Sequence, residues 1–474
     1  MTKARSVELA LLALFLAAQG YLFTRPLHSA VNYDEAVYLA AVDALRHGQA
    51  LGTAVFAAQF PGFYDLLRAI TYVIGIGVVP VRAGLVGVTL VGSCGGYLIG
   101  RRFGGAVGGL LAVALLTIAP PLDLFGFQVI ADEPSLAVTA LAVGIATLAG
   151  VPAAVLAGAI LAAGVSVKLT AVTAVPAILW LLGRRRIVPA LTGASVVAAV
   201  LLAAHARAIS DLWTSGVTYH SDARSTPAVI PHPHRQILDQ IPHGTPFFVL
   251  GVVSVIAALA ALALRRPLRV WPLWSWVVLS VAFLFLHAPL HYNHLIVFPY
   301  TLAIAVAATT GAAVHRLPLQ WARVALSVIV VALVAGFVQQ LHRVDLARAA
   351  EPSSNIAAAR ALEHLTRPSD RTIDDRPIIS FLAHRRVLGP LVDLAALRFE
   401  TRSLTDREVI RDLGEARAVV VSRSLRDHPA ILTAVRKIFV LRYDRGGVRI
   451  WIKAPAADAL RGARTRPKST ARSP

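Results

Sequence analysis

About eleven apolar runs, separated by short polar loops, fill this chain up to about Leu341, more than a soluble core of this length could bury. In hydrocarbon the backbone must satisfy its own polar groups, so such runs cross a bilayer as helices of roughly 20 residues. Composition agrees: only 15% of residues are charged, against roughly 25% in soluble domains, and 56% are hydrophobic. Beyond Leu341 charge becomes dense and the apolar runs shrink to strand length. The expected fold class is a polytopic α-helical membrane protein with about eleven transmembrane helices and a small C-terminal α/β domain.

The distribution of arginines orients the spans. Lys3 and Arg5 precede the run 7–23, which puts the N-terminus in the cytoplasm and the loop 24–60 outside. That first run is followed by Arg25, Pro26 and Leu27 instead of a small-residue cleavage site, and it reads as a retained helix. The stretch 63–79 holds Asp65 and Arg68, and as a span it would leave Arg101 and Arg102 outside. It therefore reads as a helix on the external surface. The runs 81–100, 106–120, 134–148, 153–165, 169–182, 188–204, 247–264, 271–286, 295–313 and 324–338 then alternate. They return Arg184, Arg185, Arg186, Arg265, Arg266, Arg269, His315, Arg316 and Arg323 to the cytoplasmic side.

The C-terminal domain then falls outside the cell membrane. Its strand candidates are 377–382, 418–422, 438–443 and 448–452, and its helix candidates 355–365, 406–413 and 428–435. Thr405 and Glu408 form a capping-box pattern ahead of one helix. The domain reading is 1–341 for the membrane part, with a first external loop over 24–80, 342–458 for the extracytoplasmic α/β domain, and 459–474 for a disordered basic tail.

The net charge of +20 does not point to nucleic acid. Much of the excess sits in short loops between apolar runs, where the positive-inside rule accounts for it, and in the tail after Arg461. Anionic lipids are the more natural partners. Cys94, the single cysteine, excludes an intrachain disulfide and a cysteine-based metal site.

Four features on the external side could carry chemistry. Asp34 and Glu35 lie in Asn32-Tyr33-Asp34-Glu35-Ala36-Val37-Tyr38, an amphipathic setting in which a carboxylate can serve as a general base, or merely face the interface. Asp132 and Glu133 precede Pro134 as acids at a helix N-terminus, which the helix dipole alone would explain. Lys168 lies between two apolar runs on the outer side, against the charge rule, and needs an anion or a route to the interface. His287, His291 and His294 cluster before a span, with His220, Arg224, His232 and His234 in the preceding external loop; no zinc motif is completed.

Together these features resemble the GT-C superfamily of polyprenyl-phosphate-sugar-dependent glycosyltransferases, in the branch of protein O-mannosyltransferases and aminoarabinose transferases. The similarity runs through Tyr33-Asp34-Glu35-Ala36-Val37-Tyr38, Gln59-Phe60-Pro61-Gly62-Phe63-Tyr64, Val81-Arg82-Ala83, Ala131-Asp132-Glu133-Pro134, Lys168 and His291-Tyr292-Asn293-His294. In the C-terminal part it continues through Asp374-Asp375-Arg376-Pro377-Ile378 and Leu391-Val392-Asp393. The aminoarabinose branch has a lysine before the proline of the first loop, where this chain has Gln59 and Phe60, so lipid A as acceptor is not supported.

The resemblance implies an inverting transfer of a sugar from a polyprenyl-phosphate carrier to an extracytoplasmic acceptor: protein, wall polymer or glycolipid. Asp34 is the implied base, with Glu35 and Asp132 as further catalytic candidates. Lys168 is the first choice for the donor phosphate, followed by His220, Arg224, His291 and His294. Tyr33, Tyr38, Gln59 and Glu133 are candidates for holding acceptor or donor. No metal ligands are assigned, and a divalent cation is the one cofactor candidate. The rival readings are a lipid or polysaccharide flippase, which would want inverted repeats and polar groups deep in its spans, and a non-catalytic polyprenyl-lipid-binding protein.

Overall fold

The computed structural model describes residues 3–224, 235, 238–239, 241–263, 269–287, 290–346 and 348–454. His232, His234, Arg265, Arg266 and the basic tail lie outside them. Contacts divide the chain into two compact units. One comprises residues 1–30 and 57–350, the other 31–56 and 351–474.

The first unit is helical. Among the described residues, five helices are long and apolar enough to cross a membrane: Lys3–Thr24, Val78–Ile118, Arg184–Ala204, Tyr292–Val314 and Leu319–Leu346. Shorter apolar helices cover Val151–Val167, Leu169–Leu182, Thr245–Ala260 and Trp271–Leu286. Their outer faces are apolar: Val188 is 70% exposed and Val331 69%. A soluble bundle would turn such residues inward; here the surface itself is hydrocarbon, as a bilayer requires. The protein is an integral membrane protein.

Small residues set the helix packing. The helix Val151–Val167 meets Arg184–Ala204 where a Cβ on Gly158 would stand 1.9 Å from the Ala190 carbonyl. Such close backbone approach is the usual means of helix association in lipid, where apolar burial drives nothing.

Several segments differ from the sequence-based ranges. Two ranges differ little: the runs 81–100 and 106–120 lie on either side of a break in helical geometry at Gly104 and Gly105, within the stretch Val78–Ile118. Gly105 has φ +61°, and a Cβ there would collide with the His315 ring, so only glycine makes this reversal. The run 169–182 divides into a 3₁₀ turn, Leu169–Ala174, and a short helix, Val175–Leu182, with Pro176 in the first turn of that helix, where its missing N–H is tolerated. The stretch 63–79 becomes the helix Pro61–Ile74.

The second unit is an α/β domain. Strands β1 (Arg371–Asp374), β2 (Arg386–Val387), β3 (Ala418–Val421), β4 (Phe439–Arg445) and β5 (Val448–Lys453) form one sheet in the order β2-β1-β3-β5-β4. β1 is parallel to β2 and β3; β5 is antiparallel to β3 and β4. Register aligns Thr372 with Ala418 and Val420 with Ile450. β3 is buried throughout, as a central strand between helices should be. The expected strand at 377–382 is instead the helix Ile378–Leu382, started by Asp374, whose carboxylate accepts from the Arg376 and Ser380 backbone N–H groups at 2.8 and 2.9 Å. The Thr405–Glu408 capping box forms as expected.

The helix Tyr33–Arg46 belongs to this second unit. Tyr33 fixes it: its hydroxyl donates to Asp393 Oδ1 and accepts from the Leu394 N–H, both at 2.9 Å. The Val31 N–H donates to Glu351 Oε2 at 2.9 Å.

Candidate functional site

The centre of the membrane unit's polar chemistry is Lys168. Its backbone is extended (φ −160°, ψ 143°) and ends the helix Val151–Val167, so the side chain leaves a break in the helix wall. Lys168 is 7% exposed and donates to Asp132 Oδ1 at 2.7 Å. Asp132 Oδ2 accepts from Asn293 Nδ2 at 3.1 Å. Ser135, one turn along the same helix, donates from Oγ within 3.2 Å of the Gly164 and Lys168 carbonyls. The start of the helix Asp132–Ala146 thus pins both the backbone and the charge of Lys168. Asp132 does more than complement a helix dipole: it is the counter-ion of a buried lysine.

Lys168 opens on a cavity of about 290 Å³. Four further cationic or imidazole side chains line it: His220, Arg224, His287 and His294. Gln59 also faces it, while Phe60, Leu169 and Phe283 supply an apolar wall. Among the described residues no carboxylate lines it. His220 is held by its Nε2, 3.0 Å from the Ala58 carbonyl. His294 is held by its Nδ1, which accepts from the His291 N–H at 3.2 Å, and its ring packs edge-on against His287.

The structure therefore brings together Lys168, Asp132, His220, Arg224, His294 and Gln59 among the expected site residues. His291 is exposed and does not line the cavity; its ring stacks edge-on with His294. Glu133 also stands apart: it is fully buried in the bundle, and its Oε1 has no hydrogen-bond partner among the described residues. Among the described residues no group of three or more His, Cys, Asp or Glu side chains is arranged to hold a metal ion.

Tyr33, Asp34, Glu35 and Tyr38 lie in the second unit. Glu35 is fully buried and engaged in a capping box. Its N–H donates to Asn32 Oδ1 at 2.8 Å, while its own Oε2 accepts from the Asn32 N–H at 3.2 Å. Tyr38 is buried, and Tyr33 is committed to Asp393 and Leu394 under the Arg423 guanidinium, 4.6 Å from its ring centre. Burial, with Asp393 beside it, holds the Tyr33 hydroxyl well above the ordinary tyrosine range. Asp34, in the same first turn, is exposed.

Asn293 and His287 were not singled out from the sequence as site residues. His287 belongs to the histidine set and Asn293 to the His291-Tyr292-Asn293-His294 motif, but nothing in that motif announces a carboxylate 161 positions earlier in the chain.

No protein-family model matches the sequence, and no curated protein does. Solved structures share its fold. ArnT from Cupriavidus metallidurans, crystallised bound to undecaprenyl phosphate, aligns with a TM-score of 0.69 at 13% identity over 96% of this chain and 99% of its own. The archaeal oligosaccharyltransferase AglB from Archaeoglobus fulgidus, solved with an inhibitory peptide and a dolichol-phosphate, aligns with a TM-score of 0.55 at 13% identity. That alignment covers 96% of this chain and 75% of AglB. The fold is the GT-C fold expected from the motifs.

Proposed function

We propose that this protein is an inverting membrane glycosyltransferase that moves a sugar from a polyprenyl-phosphate carrier to an extracytoplasmic acceptor. The observation that carries this reading is the cavity of the membrane unit, in which Lys168, Arg224 and three imidazoles face an apolar wall. A phosphate with a long hydrocarbon tail needs that combination, cation against headgroup and apolar surface against chain. The undecaprenyl phosphate of ArnT and the dolichol-phosphate of AglB give ligands of this chemistry to two proteins of the same fold.

In the reaction the acceptor oxygen attacks the anomeric carbon, the carbon–phosphate oxygen bond breaks, and the polyprenyl phosphate leaves with the electron pair. Lys168 and Arg224 stabilise the charge that grows on the leaving phosphate. Asp34 takes the acceptor proton; its carboxylate is exposed in the first turn of Tyr33–Arg46, whereas Glu35 is buried in the capping box. Asp132 orients Lys168. The N-terminus, Arg102 and Arg185 are assigned to the cytoplasm, and Asp34, Asp132 and Arg423 to the outside. Cysteine labelling of Asp34 and Asp132 from opposite faces would break this topology.

Binding tests the donor directly. Undecaprenyl phosphate added to the purified protein in detergent should bind, and Lys168→Ala should weaken it more than Lys168→Arg, since charge matters more than shape at this contact. Equal binding by all three proteins would overturn the assignment of this cavity.

A further inference from the structure

A second basic cavity, of about 420 Å³, lies in the membrane unit. Among the described residues its lining includes Arg102, Arg186, Arg269, His315, Arg316 and Trp180, and no acidic residue. It stands at the far end of the bundle from Lys168. The helix Val297–Val314 runs directly from the 3₁₀ turn holding His294 to its cap at His315, about 27 Å at 1.5 Å per residue. The helix Asp132–Ala146 likewise starts at the Lys168 partner and ends beside Thr147, which lines the second cavity.

Helix ends attract arginines, and one of these does only that. Arg186 donates to the Leu148, Leu181 and Leu182 carbonyls at 2.7 to 2.9 Å, tying off two helix C-termini. Arg102 and Arg269 are not explained this way. They make no ion pair or side-chain hydrogen bond with any described residue. The neighbouring Arg101, by contrast, is neutralised by Glu8 at 2.7 Å. Arg269 is also held at φ +59°, a strained backbone for a side chain with Cβ. Gly105 lets the His315 ring lie against the backbone at the same cavity. Trp180, 57% exposed, stands at its rim as an aromatic anchor at the membrane interface does.

We propose that this cavity binds the phosphodiester headgroup of an anionic phospholipid, at the membrane face opposite the Lys168 cavity. Unneutralised guanidiniums supply the charge, and the aromatic rim and lipid-facing helices receive the acyl chains.

Native mass spectrometry of the full-length protein in detergent, titrated with phosphatidylglycerol or phosphatidylcholine, tests this. Phosphatidylglycerol should bind and phosphatidylcholine should not. The doubly substituted Arg102→Gln, Arg269→Gln protein should bind phosphatidylglycerol about 25-fold more weakly, at roughly fivefold per charge. Arg102→Lys with Arg269→Lys should keep most of the binding, and Arg101→Gln should leave it unchanged. Equal binding of both lipids, or an undiminished glutamine double variant, would overturn the proposal. So would an Arg101→Gln loss as large as the double variant's, which would mark bulk surface charge. Displacement of the lipid by inorganic phosphate at equal concentration would make this a site for the free ion, and would overturn it as well.

Discussion

Lys168 and Asp132 form a buried pair whose value lies in its mutual dependence. Each is nearly inaccessible, and each would be an uncompensated charge without the other. Lys168→Ala should therefore cost about 3 kcal/mol of stability, and adding Asp132→Ala should return a large part of it. Unfolding of the two single variants and the double variant in mixed micelles measures this; simple additivity would mean that the pair is not coupled. At the other carboxylates the roles divide. Asp34→Asn should leave the fold intact and lower transfer by about two orders of magnitude, whereas Glu35→Gln should act mainly on stability, by about 1 kcal/mol through its cap. Transfer rates that fall for Glu35→Gln and not for Asp34→Asn would reverse the assignment. The pairing of Asp132 with Lys168 could not be read from spacing, because a helix N-terminus already accounts for an acid at that position. Nor could the commitment of Glu35, since a capping box and a catalytic pair look alike until a side chain is seen to turn back on its own backbone.

At the scale of elements, the β1 end depends on Asp374 and Asp375. Asp374 accepts from Ser380 and Arg376, and Asp375 from the backbone of Ser422, Arg423 and Leu425. Burial pushes Asp374 up to about 7 and moves Asp375 in the same direction. A carboxyl whose folded value exceeds its unfolded 3.8 holds its proton more tightly when folded. Its contribution to stability is thus complete below about pH 4 and is lost as pH rises toward 7. Amide exchange of Arg371–Asp374, corrected for intrinsic rates, should show opening grow over that interval, and Asp374→Asn should flatten the trend. Protection that rises with pH would contradict it. The same two acids explain the misread element. The run after Pro377 is apolar enough for either helix or strand, and an aspartate whose oxygens accept from the N–H groups of the next turn settles it. β1 and β2 escaped notice because they are short and carry no alternation. β3 and β5 were legible because buried β-branched residues and a Gly-Gly turn frame them.

For the whole molecule, the succession of apolar runs made a helical membrane unit and a terminal α/β unit legible, and the GT-C fold came with the motifs. The ranges of the helices were less so: the break at Gly104 and Gly105 falls between two runs as read, whereas the run 169–182 divides unannounced into a 3₁₀ turn and a short helix. The placement of residues 31–56 with the C-terminal unit was not legible at all, because it rests on contacts such as Tyr33 to Asp393 that no local pattern announces. The membrane unit holds cations and imidazoles beside an apolar wall, and the central claim is that a polyprenyl phosphate fills that cavity. Purified protein in lipid nanodiscs, given an acceptor extract and either polyprenyl-phosphate sugars or nucleotide sugars, tests that claim most directly. Transfer from the polyprenyl donors alone, lost in Lys168→Ala and largely kept in Lys168→Arg, is the predicted result; transfer from a nucleotide sugar without any polyprenyl carrier would contradict it.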